Sequence, residues 1–257
     1  MKHIFLALIA SLVFKVVVSA PALAADTAVQ ANPVEFRTCT YREGKDRLDL
    51  QPLMIKFRNY TKLRDVGYGA WLLTPELHSG PDFDFAWLGS WPDGVSYGVS
   101  MERWKTQGRS LAAEMDAVVD CGARHEMSYA YPINAPDGTP EAGIILIFAC
   151  HVEEGKTLQE AYVAQREFGQ TMKANGSQSI SWFYQPVAGA GPDAPDYYYV
   201  VGFYRYSDFG DTLDMFINRG GVALQQEVIT PVSSCQTPDV YDAISIRTHD
   251  ETREALN

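Results

Sequence analysis

The stretch Cys39-Thr-Tyr-Arg-Glu-Gly-Lys45 returns 111 residues later as Cys150-His-Val-Glu-Glu-Gly-Lys156. The same slide carries Trp71 onto Trp182 and Pro75 onto Pro186 without a gap. Beyond that the register drifts by one to three residues, so that Gly89 falls on Gly202, Trp104 on Phe216, Gly108 on Gly220 and Cys121 on Cys235. So long an ordered series of rare residue types marks one sequence said twice. The period far exceeds that of a solenoid repeat, so each copy reads as a small domain.

Both copies predict the same order of elements. β-Branched and apolar runs at 34–41 and 144–152 read as strands. Thr157 and Glu160 form a capping box, and Asp46 holds the matching place in the first copy. The helix that follows runs to 174 and stops at Asn175-Gly176. Its counterpart contains Pro52, which predicts a start nearer Asp49 or a bend. Strands are expected at 69–73 with 83–89, and at 179–184 with 197–204. Short helices are expected at 101–107 and 213–219, each ended by Gly, and last strands at 126–131 and 241–247. The pattern is β-α-β-β-α-β, twice, which is the ferredoxin-like arrangement.

Two such units in tandem, with aromatic strands, resemble the dimeric α/β-barrel superfamily in fused form, over residues 34 to 247. The Cys-to-Gly-Lys start and the Trp-x-x-x-Pro landmark also resemble exported bacterial proteins of unassigned function. The superfamily resemblance implies an α+β fold, with two four-stranded sheets packed into an eight-stranded barrel and helices outside. It implies repeats at 34–136 and 137–247, after a linker at 25–33 and before a polar tail at 248–257. First and last strands of each unit are then antiparallel neighbours. Of the three pairings open to four cysteines, this predicts Cys39–Cys121 and Cys150–Cys235. The superfamily holds cofactor-free monooxygenases, lactone isomerases, haem enzymes and proteins without chemistry, so fold does not assign function.

The first 24 residues read as a secretory leader: Lys2, an apolar run from Ile4 to Phe14, and Ala22-Leu23-Ala24 as the cleavage site. Export to the periplasm or beyond is expected, and an even cysteine count suits it. Loss of Lys2 and Lys15 takes the net charge from −11 to −13. Such a charge excludes nucleic acid and anionic membrane surfaces as partners. No membrane span is expected after cleavage, and oligomeric state is not legible.

Gly44 and Gly155 suit a tight turn at positive φ, and Lys45 and Lys156 precede the helices. A single Gly-Lys lacks the glycines of a phosphate loop. Trp71 and Trp182 lie in the second strands. With Trp87 and Tyr184 they are the candidate ligand-binding residues, because Tyr and Trp exceed what a plain core needs. Tyr68, Trp91, Tyr97 and Trp104 add to the cluster in the first copy. His151 is the catalytic candidate. It replaces Thr40 of the first copy, and strand alternation sets it with Ala149 and Ile147, in an apolar layer. It would act as a general base or as a haem ligand. No nucleophile motif and no metal set is present. No cofactor is required, and haem is the one left open.

The sequence therefore predicts an exported tandem barrel that binds a small apolar or aromatic molecule between a sheet and its helices. Three alternatives stand beside it: a cofactor-independent monooxygenase or isomerase, a haem-binding protein, and a structural protein with a solid core.

Overall fold

A computed structural model describes residues 30–63, 67–80, 82–136 and 142–247. The leader and the polar tail lie outside the described residues. The first repeat comprises β1 (Asn32–Tyr41), α1 (Arg47–Lys62), β2 (Gly69–Leu77), β3 (Phe85–Ser90), α2 (Gly94–Gln107), α3 (Arg109–Asp116) and β4 (Val119–Asn134). The second comprises β5 (Ala142–Val152), α4 (Leu158–Ala174), β6 (Ile180–Ala188), β7 (Tyr197–Phe203), α5 (Tyr206–Asn218), α6 (Gly221–Val228), β8 (Ser233–Cys235) and β9 (Asp239–Arg247). β8 and β9 are one strand in two pieces, both paired with β5. Pro238, which has no N–H to give a ladder, lies at the break.

Within the first repeat the strands lie in the order β4-β1-β3-β2, and all pairings are antiparallel. The second repeats this as β9-β5-β7-β6. Two seams join the halves: β4 pairs with β6, and β2 with β9. The ring is thereby closed at eight strands, the expected tandem form of the dimeric α/β barrel. Alternation along each strand divides the interior into three apolar clusters. Leu50, Leu53 and Phe57 of α1 pack on Phe85 and Trp87. Tyr162 of α4 packs with Phe183, Tyr197 and Tyr199. Leu73, Leu88, Tyr241 and Ala243 face the barrel lumen.

The doubled motif is a joint. Gly44 and Gly155 turn the chain at φ of 71° and 77°. Asp46 and Thr157 then cap α1 and α4, each in a full capping box. Lys45 pairs with Asp49 at 3.0 Å and Lys156 with Glu160 at 3.6 Å, so both lysines serve their own helices. Two loop aspartates serve as clasps: Asp84 accepts from the Tyr41 amide and Asp196 from that of Val152.

Three expectations are corrected. α1 starts at Arg47 and runs through Pro52 without a break. Pro52 lies within two turns of the N-terminus, so the missing amide lies near the helix end. β4 begins at Val119, so Cys121 lies inside it rather than before it. Short helices α3 and α6, not read from sequence, follow the glycines that end α2 and α5.

Cys39 bonds Cys121, and Cys150 bonds Cys235, each joining the first and last strand of its repeat. Non-reducing peptide mapping should return these two linkages, and a Cys39–Cys150 peptide would contradict the fold. Closing loops of 82 and 85 residues is worth about 4 kcal/mol each in the chain-entropy picture. Cys150→Ala with Cys235→Ala should lower unfolding free energy in urea by about 2–5 kcal/mol.

Candidate functional site

The four candidate aromatics do not meet in one place. Trp71, Trp182 and Tyr184 line the lumen. Trp87 lies on the opposite face of its sheet, under α1. The single pocket expected between sheet and helices is therefore replaced by two cavities, because composition does not say which face of a strand a residue takes. The apolar placement expected for His151 fails for a related reason. Ile145, Ile147 and Ala149 do face the lumen, but His151 lies beyond its rim. The side chain is 49% exposed and its Nδ1 stands 3.6 Å from Asp196. It lines neither the lumen nor the cavity under the first repeat's helices.

A charged cluster that the sequence did not reveal lies around Trp87. β1 turns Glu35 and Arg37 toward the helices, and the β1–β4 register brings His125 opposite Arg37. Glu35 is 5% exposed. Its Oε2 meets Arg37 Nη2 at 2.8 Å and His125 Nε2 at 3.0 Å. Its Oε1 accepts from Tyr68 Oη at 3.0 Å, and that oxygen accepts from Trp87 Nε1 at 2.7 Å. Gly89 makes the room, since a Cβ there would lie 2.3 Å from Tyr68 Oη. Burial alone would raise the Glu35 pKa, but hydrogen bonds from His125 and Tyr68 and the Arg37 charge hold it below the ordinary value. Burial, and then the nearby Glu35 carboxylate, push the Tyr68 phenol well up, so it stays a donor.

This cluster floors a cavity of about 100 Å³ between the first sheet and its helices. Phe57, Tyr60, Trp87, Trp91, Trp104 and Met101 stand among its walls. The roof is half-buried: α2 and α3 have no fully buried residue, though Tyr97, Trp104, Leu111 and Met115 pack on the core, whereas α1 buries four and α5 buries Phe209 and Met215. Trp91, 2% exposed, finds no acceptor for its Nε1–H among the described residues.

The second repeat supplies a comparison within the same molecule. Strand registers put Leu146 at the place of Glu35, Phe148 at that of Arg37, and Val201 at that of Gly89. Gly202, which the sequence matched to Gly89, is one place along and faces the lumen. The polar groups of this second layer are neutral: Gln165 donates to Tyr197 Oη at 2.9 Å, which lies 2.7 Å from Ser233 Oγ. The asymmetry between the copies thus sits at Glu35 and Arg37, not at Thr40 and His151.

No family model and no curated relative matches the chain. Solved structures do. A candidate monooxygenase from Fusobacterium nucleatum is similar at a TM-score of 0.55 and 8% identity, over 86% of this chain and 94% of the other. A candidate chlorite dismutase gives 0.54 and 10%, over 88% and 100%. A haem-binding protein from Thermus thermophilus gives 0.50 and 11%, over 88% and 95%. The fold is that of a dimeric α/β barrel, and identities this low carry no more than the fold.

Among the described residues, neither sheet–helix layer fits a haem. Pockets for drug-sized ligands run to about 300–1,000 Å³, and a porphyrin is larger than most such ligands. The first sheet–helix cavity is far smaller, and the matching layer of the second repeat is packed by Tyr162, Phe183, Tyr197 and Tyr199. His125 Nε2 is engaged by Glu35, and His78 Nδ1 accepts from the Gly80 amide.

Because the folded Glu35 pKa lies below the ordinary 4.5, its stabilisation is complete above that value. It is lost as pH falls through the folded pKa. Thermal melts between neutral and acid pH should therefore fall more steeply for the parent protein than for Glu35→Gln. Parallel acid limbs would refute an ionised Glu35.

Proposed function

We propose that this protein binds a small, uncharged, single-ring aromatic molecule bearing a hydroxyl, in the pocket between the first sheet and α2. One observation carries this reading: the second repeat closes the same place with Leu146, Phe148 and Val201. Replacing a buried ion pair by apolar residues is often neutral or stabilising, and here the fold contains its own apolar version. The charge in the first repeat is therefore not required by the architecture.

The polar groups select the ligand. Among the described residues, Glu35 Oε1 accepts only from Tyr68 and retains a lone pair, while Trp91 Nε1–H finds no acceptor. A hydroxyl can donate to one and accept from the other. The Glu35 carboxylate disfavours an anion. The aromatic walls supply stacking and edge contacts for one ring. An engineered cavity of about 150 Å³ holds benzene, and an outward shift of the half-buried α2 and α3 would supply the remainder. With the leader read as an export signal, the ligand is met outside the cytoplasm. Monooxygenase activity, named for some neighbours, would need more than fold likeness, so the reading is of binding.

Titration calorimetry with p-cresol and toluene tests it. The hydroxyl should give p-cresol an advantage of about tenfold or more, as one hydrogen bond to a charged group implies. Glu35→Leu with Arg37→Phe, which installs the second repeat's residues, should abolish that advantage. Methyl NMR should show p-cresol shifting Met101 and Met115, which line the pocket, and not Met172. Equal affinities for the two probes, or shifts centred elsewhere, would overturn the reading.

A further inference from the structure

The lumen is a second cavity, on the other face of the same strands, and it holds about 280 Å³. An eight-stranded barrel is just wide enough for its side chains to fill it or for one small ligand to enter. Here the filling is withheld, and withheld twice. The strand registers make Ser90 equivalent to Gly202, and Ala130 to Ala243. All four small residues face the cavity, between the equivalent Trp71 and Trp182. A core under selection for packing alone fills such positions to native density. Both copies instead keep one tryptophan and two small residues.

A smaller cavity of about 100 Å³ continues the lumen, sharing Val34, Leu88, Ile145, Tyr184 and Val200 with the first. At this end the copies differ. Arg124 grips Glu126 through two 2.8 Å contacts and donates to Tyr198 Oη at 2.6 Å. Its place between the rings of Phe36 and Tyr198 is fixed by cation–π contacts. Arg124 Nη1 takes no part in these bonds and keeps its two donors. Glu126 and Asp239 both line this end against the one cation, so a ligand carboxylate is disfavoured there.

We propose that the lumen is a separate binding site for an elongated, flat, uncharged molecule. Its aromatic body lies between Trp71 and Trp182, and a terminal carbonyl or hydroxyl oxygen accepts from Arg124. The symmetric end admits the body, and the asymmetric end sets one orientation. This site goes beyond the sheet–helix pocket and shares no residue with it.

Prodan, an uncharged naphthalene with a ketone at one end, is a suitable fluorescent probe for the full chain, with naphthalene as its comparator. Prodan should bind one to one with blue-shifted emission, about tenfold tighter than naphthalene. Trp182→Ala should weaken it about tenfold. Arg124→Met with Glu126→Leu should remove the preference over naphthalene while naphthalene still binds. Should Trp182→Ala not fold, Ala243→Leu narrows the same cavity from the far edge strand of that sheet and should weaken prodan likewise. Unchanged affinity in whichever of these variants folds, equal affinity for prodan and naphthalene, or displacement of prodan by p-cresol would overturn the proposal.

Discussion

Everything in this molecule depends on two hydrogen-bonded seams, β4 with β6 and β2 with β9. Each repeat alone would expose two strand edges and one apolar sheet face, which is a template for aggregation. Joining the sheets at both edges removes the edges and buries the lumen-facing side chains together. The seams also fix the geometry of the sites. They place Trp71 and Trp182 in one wall system, and they bring Arg124 of β4 to Tyr198 of β7.

The two repeats show how one architecture tolerates opposite solutions at the same position. In the second, a sheet–helix layer of Leu146, Phe148, Tyr199 and Val201 is apolar, with a short neutral network beneath. In the first, Glu35 is buried with Arg37, His125 and Tyr68 around it. A charge in such a place requires every partner present, because removing one partner of a buried pair costs about 3–5 kcal/mol. Gly89 is part of that requirement, as any side chain there would collide with Tyr68. The apolar arrangement is the simpler one, so the charged one is best understood through what it can hold.

Much of the fold was legible in the sequence because it rests on local signals. Gly44 and Gly155, the caps Asp46 and Thr157, and the strand–helix order all follow from neighbouring residues, and the repeat turned four cysteines into one pairing. The sites were less legible because they depend on facing. Trp71 and Trp87 look alike in sequence, yet alternation sends one to the lumen and the other under α1. His151 was placed on the correct face, but the barrel ends before it does. Glu35 drew no notice in a strand of mixed polarity; its alternation with Val34 and Phe36, against Leu146 in the other copy, was the available signal. Matching Gly89 to Gly202 hid the difference, since a shift of one residue reverses the face.

Arg124 belongs to the first sheet and reaches Tyr198 of the second across the lumen. In a barrel made from two identical subunits, any residue that crosses in this way must occur twice. Two guanidinium groups, each with its carboxylate, would then stand at one end of the lumen and offer a ligand two equivalent anchors. A fused chain is released from that rule. The duplication thus did more than supply a second sheet: it allowed a single guanidinium to be placed where a symmetric dimer can have only none or two.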